Sequence, residues 1–217
     1  MKFFQYSGNC HLSKVLKAAH PSISLIVLLL VTILINPSFA SAEVRKEYYP
    51  SGKLKSEVNV VNGKKEGLEI KYYDSNVSGQ LASETNYKNG EIEGVFKRYY
   101  ENGKLLSEDN YKNGNLEGIS KWYQENGKLW RENNYKNGKK EGISKMYSTS
   151  GELLFEGNYR NSKQEGVSKV YSGGKLHFEE NYKNGKREGI KVYYPSRKLY
   201  WETNYKNGKL EGIFKLT

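Results

Sequence analysis

Residue types that perform chemistry are sparse in this 217-residue chain. After residue 42 it contains one histidine, His177, two aspartates, Asp74 and Asp109, and no cysteine. The two aspartates are far apart in sequence, whereas a metal site needs several convergent ligands. No nucleophile has a base and an orienting group at a recognisable spacing, and no Gly-Lys is followed by Ser or Thr as in a phosphate-binding loop. We therefore predict a protein that is not an enzyme and that needs no cofactor and no metal.

The residues that recur are instead glutamate, glycine, asparagine and tyrosine, at a nearly constant period. A Glu-Gly pair returns every 23 to 27 residues, and a tyrosine or valine stands seven residues before its glycine. The seven glycines are Gly67, Gly94, Gly118, Gly142, Gly166, Gly189 and Gly212. A residue present in every unit is explained by the architecture of a repeat, so we assign these glutamates a structural role.

Each unit contains two turn signals, which divide it into two strands. One signal is Asn-Gly, as at Asn113-Gly114, the strongest short indication of a β-hairpin. The other is a glycine just before a Lys-Leu, Gln-Leu or Glu-Leu pair, as at Gly103. Polar and apolar residues alternate between the turns, which is typical of antiparallel strands. We predict an all-β, elongated, single-layer antiparallel β-meander of about seven two-stranded repeats, or about 14 strands.

Alternation also predicts the two faces of the sheet. Leu105 and Tyr111 share one face of the first strand, and Glu108 and Asn110 lie on the other. In the second strand Ile119, Lys121 and Tyr123 share a face. We expect one face to carry a Tyr/Leu/Ile stripe and the other to carry the repeated Glu and Asn. Lys121 and its equivalents are expected to face acidic or aromatic neighbours across the strands.

The repeated unit resembles a known family. The pattern G-K-L-x-x-E-x-N-Y-K-N-G-K-x-E-G-x-x-K-x-Y is nearly intact from Gly103 to Tyr123 and resembles the MORN-variant repeat. The resemblance extends over most of the chain after residue 43. It implies an elongated β-meander, and a role like that of family members that are scaffolds linked to membranes or antitoxins of toxin–antitoxin pairs. An export signal departs from the pattern of a cytosolic antitoxin.

Residues 1–42 differ from the repeats and predict that the protein is exported. Three lysines and no acidic residue precede an apolar run, Ile23 to Ile35, and Ala40-Ser41-Ala42 follows it. A basic stretch, a short apolar helix and a small-x-small site are the parts of a secretory signal peptide. We predict cleavage after Ala42 and a repeat domain at residues 43–217. The destination is the periplasm, the cell surface or the medium. The alternative is an uncleaved membrane anchor.

Composition narrows the function classes to three hypotheses. The chain has 22 glycines, 19 tyrosines, 4 prolines and a net charge of +11, which excludes collagen and a multi-span membrane protein. The first hypothesis is an exported binding or scaffold module for a protein or cell-envelope partner. The second is an antitoxin-like protein that neutralises a toxin. The third is weak binding to anionic lipid or another polyanion, and no nucleic-acid partner is expected of an exported protein.

Positions that vary between units are the candidates for partner binding, because the constant positions are needed to build the unit. Trp and Tyr are also enriched among the few interface residues that contribute most of the binding free energy. The candidate partner-binding residues are Trp122, Trp130, Trp201, Tyr200 and Phe178. The alternative is that these aromatic side chains only pack over neighbouring strands.

Overall fold

The computed structural model describes residues 41–75, 79–194 and 200–216. The signal sequence predicted for residues 1–42 lies outside these ranges, apart from Ser41 and Ala42. Within them all of the regular structure is β-strand and none is helix, which confirms the all-β prediction for the repeats. The described ranges hold no helix with the length and apolar character needed to span a bilayer.

The strands are short and evenly spaced along the chain. They are β1 Ala42–Tyr48, β2 Leu54–Val61, β3 Lys64–Tyr72, β4 Leu81–Lys88, β5 Glu91–Tyr99, β6 Leu105–Lys112, β7 Asn115–Leu116, β8 Gly118–Tyr123, β9 Leu129–Lys136, β10 Lys139–Tyr147, β11 Leu153–Arg160, β12 Lys163–Gln164, β13 Gly166–Ser172, β14 Lys175–Lys183, β15 Lys186–Tyr193, β16 Tyr200–Lys206 and β17 Lys209–Leu216.

Consecutive strands pair antiparallel throughout, so the sheet is open and follows the order of the chain. Two strands are interrupted, which gives the pairs β7–β8 and β12–β13. β1 precedes the first complete unit and occupies the place of a second strand, since Val44 lies opposite Asn59 as Ile119 lies opposite Asn134. The predicted meander is confirmed. When each interrupted strand is counted once, the 17 elements form 15 strands, one more than the 14 expected of seven two-stranded repeats.

The Asn-Gly turns have the backbone that their sequence predicts. Asn113 has φ 48° and Gly114 has φ 71°, and positive φ at both central residues defines the type I′ turn that suits a twisted hairpin. The turn of one unit places serine at the second position, where Ser162 takes φ 64°. Because serine has a Cβ, this turn has a steric cost that the glycine turns avoid.

The Glu-Gly pair forms a bulge that also ties each unit to the next. Gly118 has φ 84°, a conformation that favours glycine, and a side chain there would meet no atom within 4 Å. The glycine is therefore required by backbone geometry and not by lack of space. The carboxylate of Glu117 accepts a hydrogen bond from the Asn137 N–H of the following turn at 2.8 Å. Asn110 Nδ2 donates to the carbonyl of Ile119 at 2.8 Å, which closes the bulge within its own unit.

The bond between a bulge glutamate and the next turn is repeated along the sheet. Its other occurrences are Glu66 with Asn89, Glu93 with Asn113, Glu141 with Asn161, Glu165 with Asn184, and Glu188 with Asn207, at 2.7–2.9 Å. These contacts explain why glutamate recurs, since its carboxylate satisfies a backbone N–H that the turn leaves unpaired.

The predicted Tyr/Leu/Ile stripe is wrong, because its members lie on opposite faces. Tyr111 lies opposite Leu116, whereas Ile119 lies opposite Asn110, and directly opposed residues share a face. Residues 116 and 119 differ by an odd number, so ordinary strand alternation separates them. We call the side that carries Ser107, Asp109 and Tyr111 the Tyr111 face, and the side that carries Glu108, Asn110 and Lys121 the Glu108 face.

The interior of this sheet is mostly polar. In the described part of the chain only Val58 and Val60 are fully buried hydrophobic residues. The other buried side chains include Ser107 and Asp109 of β6 and Ser120 of the neighbouring β8, all on the Tyr111 face. Ser107 is 0% exposed because it lies opposite Arg98 on one side and Trp122 on the other, and both side chains are larger. In its described strands this sheet has no conventional apolar core. It is stabilised by hydrogen bonds and by large side chains that cover smaller ones on adjacent strands.

Candidate partner-binding surface

The Glu108 face carries a ladder of alternating charges. Glu108 lies opposite Lys97 and Lys121, and the alternation continues through Glu132, Lys145, Glu156 and Lys169 to Glu179. The Lys97–Glu108 and Lys145–Glu156 pairs approach to 3.9 and 3.5 Å. The predicted acidic neighbours of Lys121 are therefore confirmed. Each exposed pair contributes little energy, but the ladder fixes which strands can lie side by side.

Tyrosine hydroxyls donate hydrogen bonds to other glutamates of the Glu108 face, which lie on the adjacent strand. Tyr99 Oη donates to Glu84 Oε2 at 2.6 Å, and Tyr72 Oη donates to Glu57 Oε1 at 3.2 Å. Burial and the hydrogen bond to the Glu84 carboxylate raise the pKa of Tyr99 to about 12. This hydroxyl remains a donor throughout the neutral range, so these bonds hold the ladder in place.

Exposed aliphatic side chains on the Glu108 face are separated from one another. Ile119, for example, lies between Asn110 and Asn134 on the two adjacent strands. The same position is occupied by Leu68, Val95, Ile143, Val167 and Ile190, all of them exposed. Single exposed aliphatic residues are ordinary on a β-sheet and do not by themselves mark an interface.

The Tyr111 face has a different pattern, with three buried carboxylates in its middle row. Asp109 accepts from Ser120 Oγ at 2.5 Å and lies 3.5 Å from the guanidinium of Arg98. Glu69 lies 3.5 Å from Lys71 Nζ and accepts from Tyr87 Oη at 3.3 Å. Each carboxylate is paired with a cation on its own face, as a buried charge requires.

The third carboxylate, Glu180, has three partners. It accepts from Tyr182 Oη at 2.7 Å and from Arg187 Nε at 2.9 Å, and it lies 3.3 Å from Lys191 Nζ. Burial and the Glu180 carboxylate raise the pKa of Tyr182 to about 12. Lys191 is buried and its Nζ lies 3.8 Å from the ring centroid of Phe178. This cluster is an internal structural element and leaves no free catalytic group.

A continuous row of side chains runs beside these carboxylates on the Tyr111 face. Directly opposed residues define it from strand to strand. In the amino-terminal half it reads Ser56, Lys71, Ser83, Arg98 and Ser107. In the carboxyl-terminal half it reads Trp122, Arg131, Met146, Phe155, Val170, Phe178 and Tyr193. We call this second set the variable strip.

Apart from Arg131, the variable strip is mostly apolar, and it is half-buried and rich in aromatic residues. The guanidinium of Arg98 lies 4.4 Å from the ring centroid of Trp122, at the boundary between the two halves of the row. Phe178 and Tyr193 have ring centroids 5.5 Å apart. Phe155 folds over Gly157, where a Cβ would come within 2.5 Å of its ring. Half-buried aromatic side chains on an uncovered sheet face are suited to packing against a partner.

The structure brings together only part of the predicted site. Trp122 and Phe178 both belong to the variable strip. Trp130 lies on the Glu108 face, where it is 39% exposed, because its strand neighbour Arg131 is the residue opposite Trp122. The backbone of Trp201 lies opposite Tyr193 in β16, which also contains Tyr200. The side chains of Trp201 and Tyr200 lie outside those that the structure describes.

Sequence reasoning missed Arg131, Met146, Phe155, Val170 and Tyr193. A signal for them was present, because each strip residue stands either just before the recurrent tyrosine of a second strand or two residues after the leucine of a first strand. These two positions become neighbours only when the register of the sheet is known.

The described residues contain no group of three or more His, Cys, Asp or Glu side chains placed to hold a metal ion. His177 is exposed, and its ring lies 5.7 Å from that of Phe178. An open groove of about 610 Å³ near β1 is lined by Val44, Asn59 and Glu66, among others. Glu66 and Glu93, which line this groove, accept hydrogen bonds from the N–H groups of Asn89 and Asn113, and Glu43 lies 3.0 Å from Arg45.

The comparison with protein families identifies the repeated unit. The model described as MORN repeat variant matches residues 44–62, 92–113, 116–137 and 140–161. The chain carries MORN-variant repeats. No curated protein matches the chain. MORN repeats are generally binding or scaffold modules and form a non-enzymatic class, and they often mediate interactions with proteins or membrane lipids. In the MORN-variant repeats, the bulge glutamates and turn asparagines recur from unit to unit, whereas the residues of the variable strip differ.

Proposed function

We propose that this MORN-repeat protein is an exported, non-enzymatic binding or scaffold module for a protein of the cell envelope, and that the partner docks on the variable strip. The observation that carries the proposal is the change of composition along one row of the Tyr111 face. The row is serine, lysine and arginine in its first five positions and mostly aromatic or aliphatic in the next seven.

Export is supported by the basic, apolar and small-residue segments of residues 1–42. Cleavage after Ala42 would leave Glu43 opposite Val60 as the first pair of β1, so the sheet would retain nearly all of this strand. Amino-terminal sequencing of the protein from its native cell is expected to begin at Glu43. Recovery of the intact amino terminus in the membrane fraction would support the uncleaved anchor instead.

Trp122 and Trp130 provide a matched pair for testing where the partner docks. They lie on neighbouring strands, and strand alternation places them on opposite faces, with the Trp130 ring centroid 4.8 Å from the guanidinium of Arg131 at the edge of the strip. We expect Trp122→Ala to reduce capture of the envelope partner by at least about tenfold, since truncating an anchoring aromatic residue costs about 2 kcal/mol or more at an interface. Trp130→Ala is expected to leave capture within about twofold of the native protein.

Capture is measured by quantitative mass spectrometry of the cross-linked partner, and thermal melting of both variants is measured in parallel. The proposal is contradicted if Trp130→Ala abolishes capture and Trp122→Ala does not. It is also contradicted if Trp122→Ala lowers the melting temperature but leaves capture unchanged, because Trp122 would then serve only to cover Ser107.

A further inference from the structure

Two cations on the Tyr111 face differ from all the paired cations around them. Arg131 in β9 and Lys140 in β10 both lie on this face, where Arg131 is opposite Met146 and Lys140 is opposite Tyr135. The Nε of Arg131 is buried and has no hydrogen-bond partner, its Nη2 contacts the sulfur of Met146 at 3.6 Å, and its guanidinium lies 4.8 Å from the ring centroid of Trp130. Lys140 Nζ lies 5.3 Å from the ring centroid of Tyr159.

Neither cation has a carboxylate partner within residues 41–75, 79–194 and 200–216. The buried carboxylates of the same face, Glu69, Asp109 and Glu180, neutralise the cations near them. Between Asp109 and Glu180 the middle row is uncharged. It consists there of Ser120, Asn133, Ser144, Gly157 and Ser168.

The two cations also act on each other. Burial and the charge of Arg131 lower the pKa of Lys140. A half-buried guanidinium with an unsatisfied donor and a like charge nearby has an unfavourable electrostatic energy that a bound anion would relieve. The surrounding side chains are Trp122, Trp130, Met146 and Tyr159, so the site is cationic at its centre and apolar at its border.

We propose that Arg131 and Lys140 form a receptor site for a carboxylate of the protein partner, supplied by an Asp or Glu flanked by apolar residues. The partner's carboxylate would take the place that Glu69, Asp109 and Glu180 occupy elsewhere on this face, while its apolar neighbours pack on the variable strip. This assignment rests on the proposed function, because it names the chemistry of the partner that the strip binds.

A short peptide tests the site without the natural partner. The probe is acetyl-Leu-Glu-Leu-Glu-Leu-amide, its control is the same peptide with Gln for Glu, and binding to the full-length chain is measured by calorimetry. We expect the Glu peptide to bind at least about tenfold more tightly than the Gln peptide, the difference typical of a charge-assisted hydrogen bond. Arg131→Gln and Lys140→Gln are each expected to remove most of that difference.

Lys139→Gln is the matched control variant. It removes the same charge from the residue next to Lys140, but Lys139 is exposed and alternation places it on the Glu108 face. This variant is expected to bind the Glu peptide within about twofold of the native chain, since an exposed charge contributes little. Equal binding of the two peptides, or an equal loss in Lys139→Gln and Arg131→Gln, would overturn the proposal.

Two further measurements separate the alternatives. Arg131→Gln is expected to melt within a few degrees of the native protein, because it removes a cation that has no carboxylate partner. A large fall in its melting temperature would overturn the assignment of Arg131 as a receptor residue. Vesicles containing phosphatidylglycerol are the second probe. Arg131-dependent binding to these vesicles without Arg131-dependent binding of the Glu peptide would assign the site to a lipid phosphate and overturn the carboxylate proposal.

Failure of this inference is distinguishable from failure of the proposed function. If Trp122→Ala loses partner capture while Arg131→Gln and Lys140→Gln keep both capture and peptide binding, the strip binds a partner but the carboxylate site is refuted. If the Glu peptide binds through Arg131 while Trp122→Ala keeps full capture, the carboxylate site is supported and docking on the strip is refuted.

Discussion

Replacing Glu180 by leucine is expected to lower the free energy of unfolding by about 3 kcal/mol. Lys191 is 6% exposed, and Glu180 is the carboxylate that neutralises it. Without Glu180 the ammonium group stays buried against the rings of Phe178 and Tyr193, whose cation–π attraction replaces only part of the ion pair. Urea unfolding followed by circular dichroism measures the loss.

A double-mutant cycle and a neighbouring control make this prediction specific. Lys191→Met in the Glu180→Leu background is expected to recover most of the lost stability, since it removes the uncompensated charge. Glu179→Leu changes the adjacent residue, which lies on the Glu108 face opposite Lys169. Because this pair is partly exposed, its loss is expected to cost less than about 1 kcal/mol. Equal costs at positions 179 and 180, or additive effects at 180 and 191, would contradict the role assigned to the buried cluster.

Deleting residues 115–138, a complete 24-residue unit, is expected to leave a folded protein. The deletion joins the turn at Gly114 to Lys139, so β6 would pair with β10 in place of β7 and β8. Glu108 would then lie opposite Lys145 in place of Lys121, and Asp109 opposite Ser144 in place of Ser120. Because each unit of such a sheet contacts mainly its neighbours, the remaining contacts should survive.

Deleting half a unit is the control for that experiment. Removal of residues 115–126 joins Gly114 to Gly127 and places β9 beside β6, two strands of the same type. The bulge that Glu117 and Gly118 provide would be lost, and with it the pairing of Glu108 with Lys121. We expect cooperative thermal unfolding with a β-type far-ultraviolet spectrum for the 24-residue deletion and its loss for the 12-residue deletion. The opposite result would contradict a sheet built from interchangeable units.

Much of this fold follows from local sequence. The Asn-Gly pairs specify the hairpin turns because asparagine and glycine tolerate positive φ, as at Asn113 and Gly114. The recurrent Glu-Gly pair coincides with the bulge, since Gly118 also has positive φ. Both signals depend only on residues that are close together in the sequence. Their repetition along the chain is therefore enough to identify them.

The assignment of faces required the register, which residue types do not reveal. Tyrosine and isoleucine look alike as strand residues, yet Tyr111 and Ile119 lie on opposite faces because the two-residue turn fixes which positions oppose each other. The bulge then moves the register by two residues. That shift preserves the faces and brings Lys121 opposite Glu108.

The candidate site was predictable only in part for the same reason. Variation between units identified Trp122 and Trp130 equally well, although a difference of eight residues across a turn places them on opposite faces. The position of Arg131 could be found from the sequence, but its distinguishing property is the absence of a carboxylate partner among the described residues of its own face. Such an absence depends on which strands pair.

Site-directed photocross-linking in the native cell tests most directly the claim that the variable strip is the docking surface. A photoreactive phenylalanine derivative is introduced singly at Trp122 and Phe155 on the strip, and at Ile119 and Trp130 on the Glu108 face. We predict one discrete adduct of the same mass from both strip positions and none from the other two. Adducts from the Glu108 face alone, or equally from both faces, would contradict the assignment.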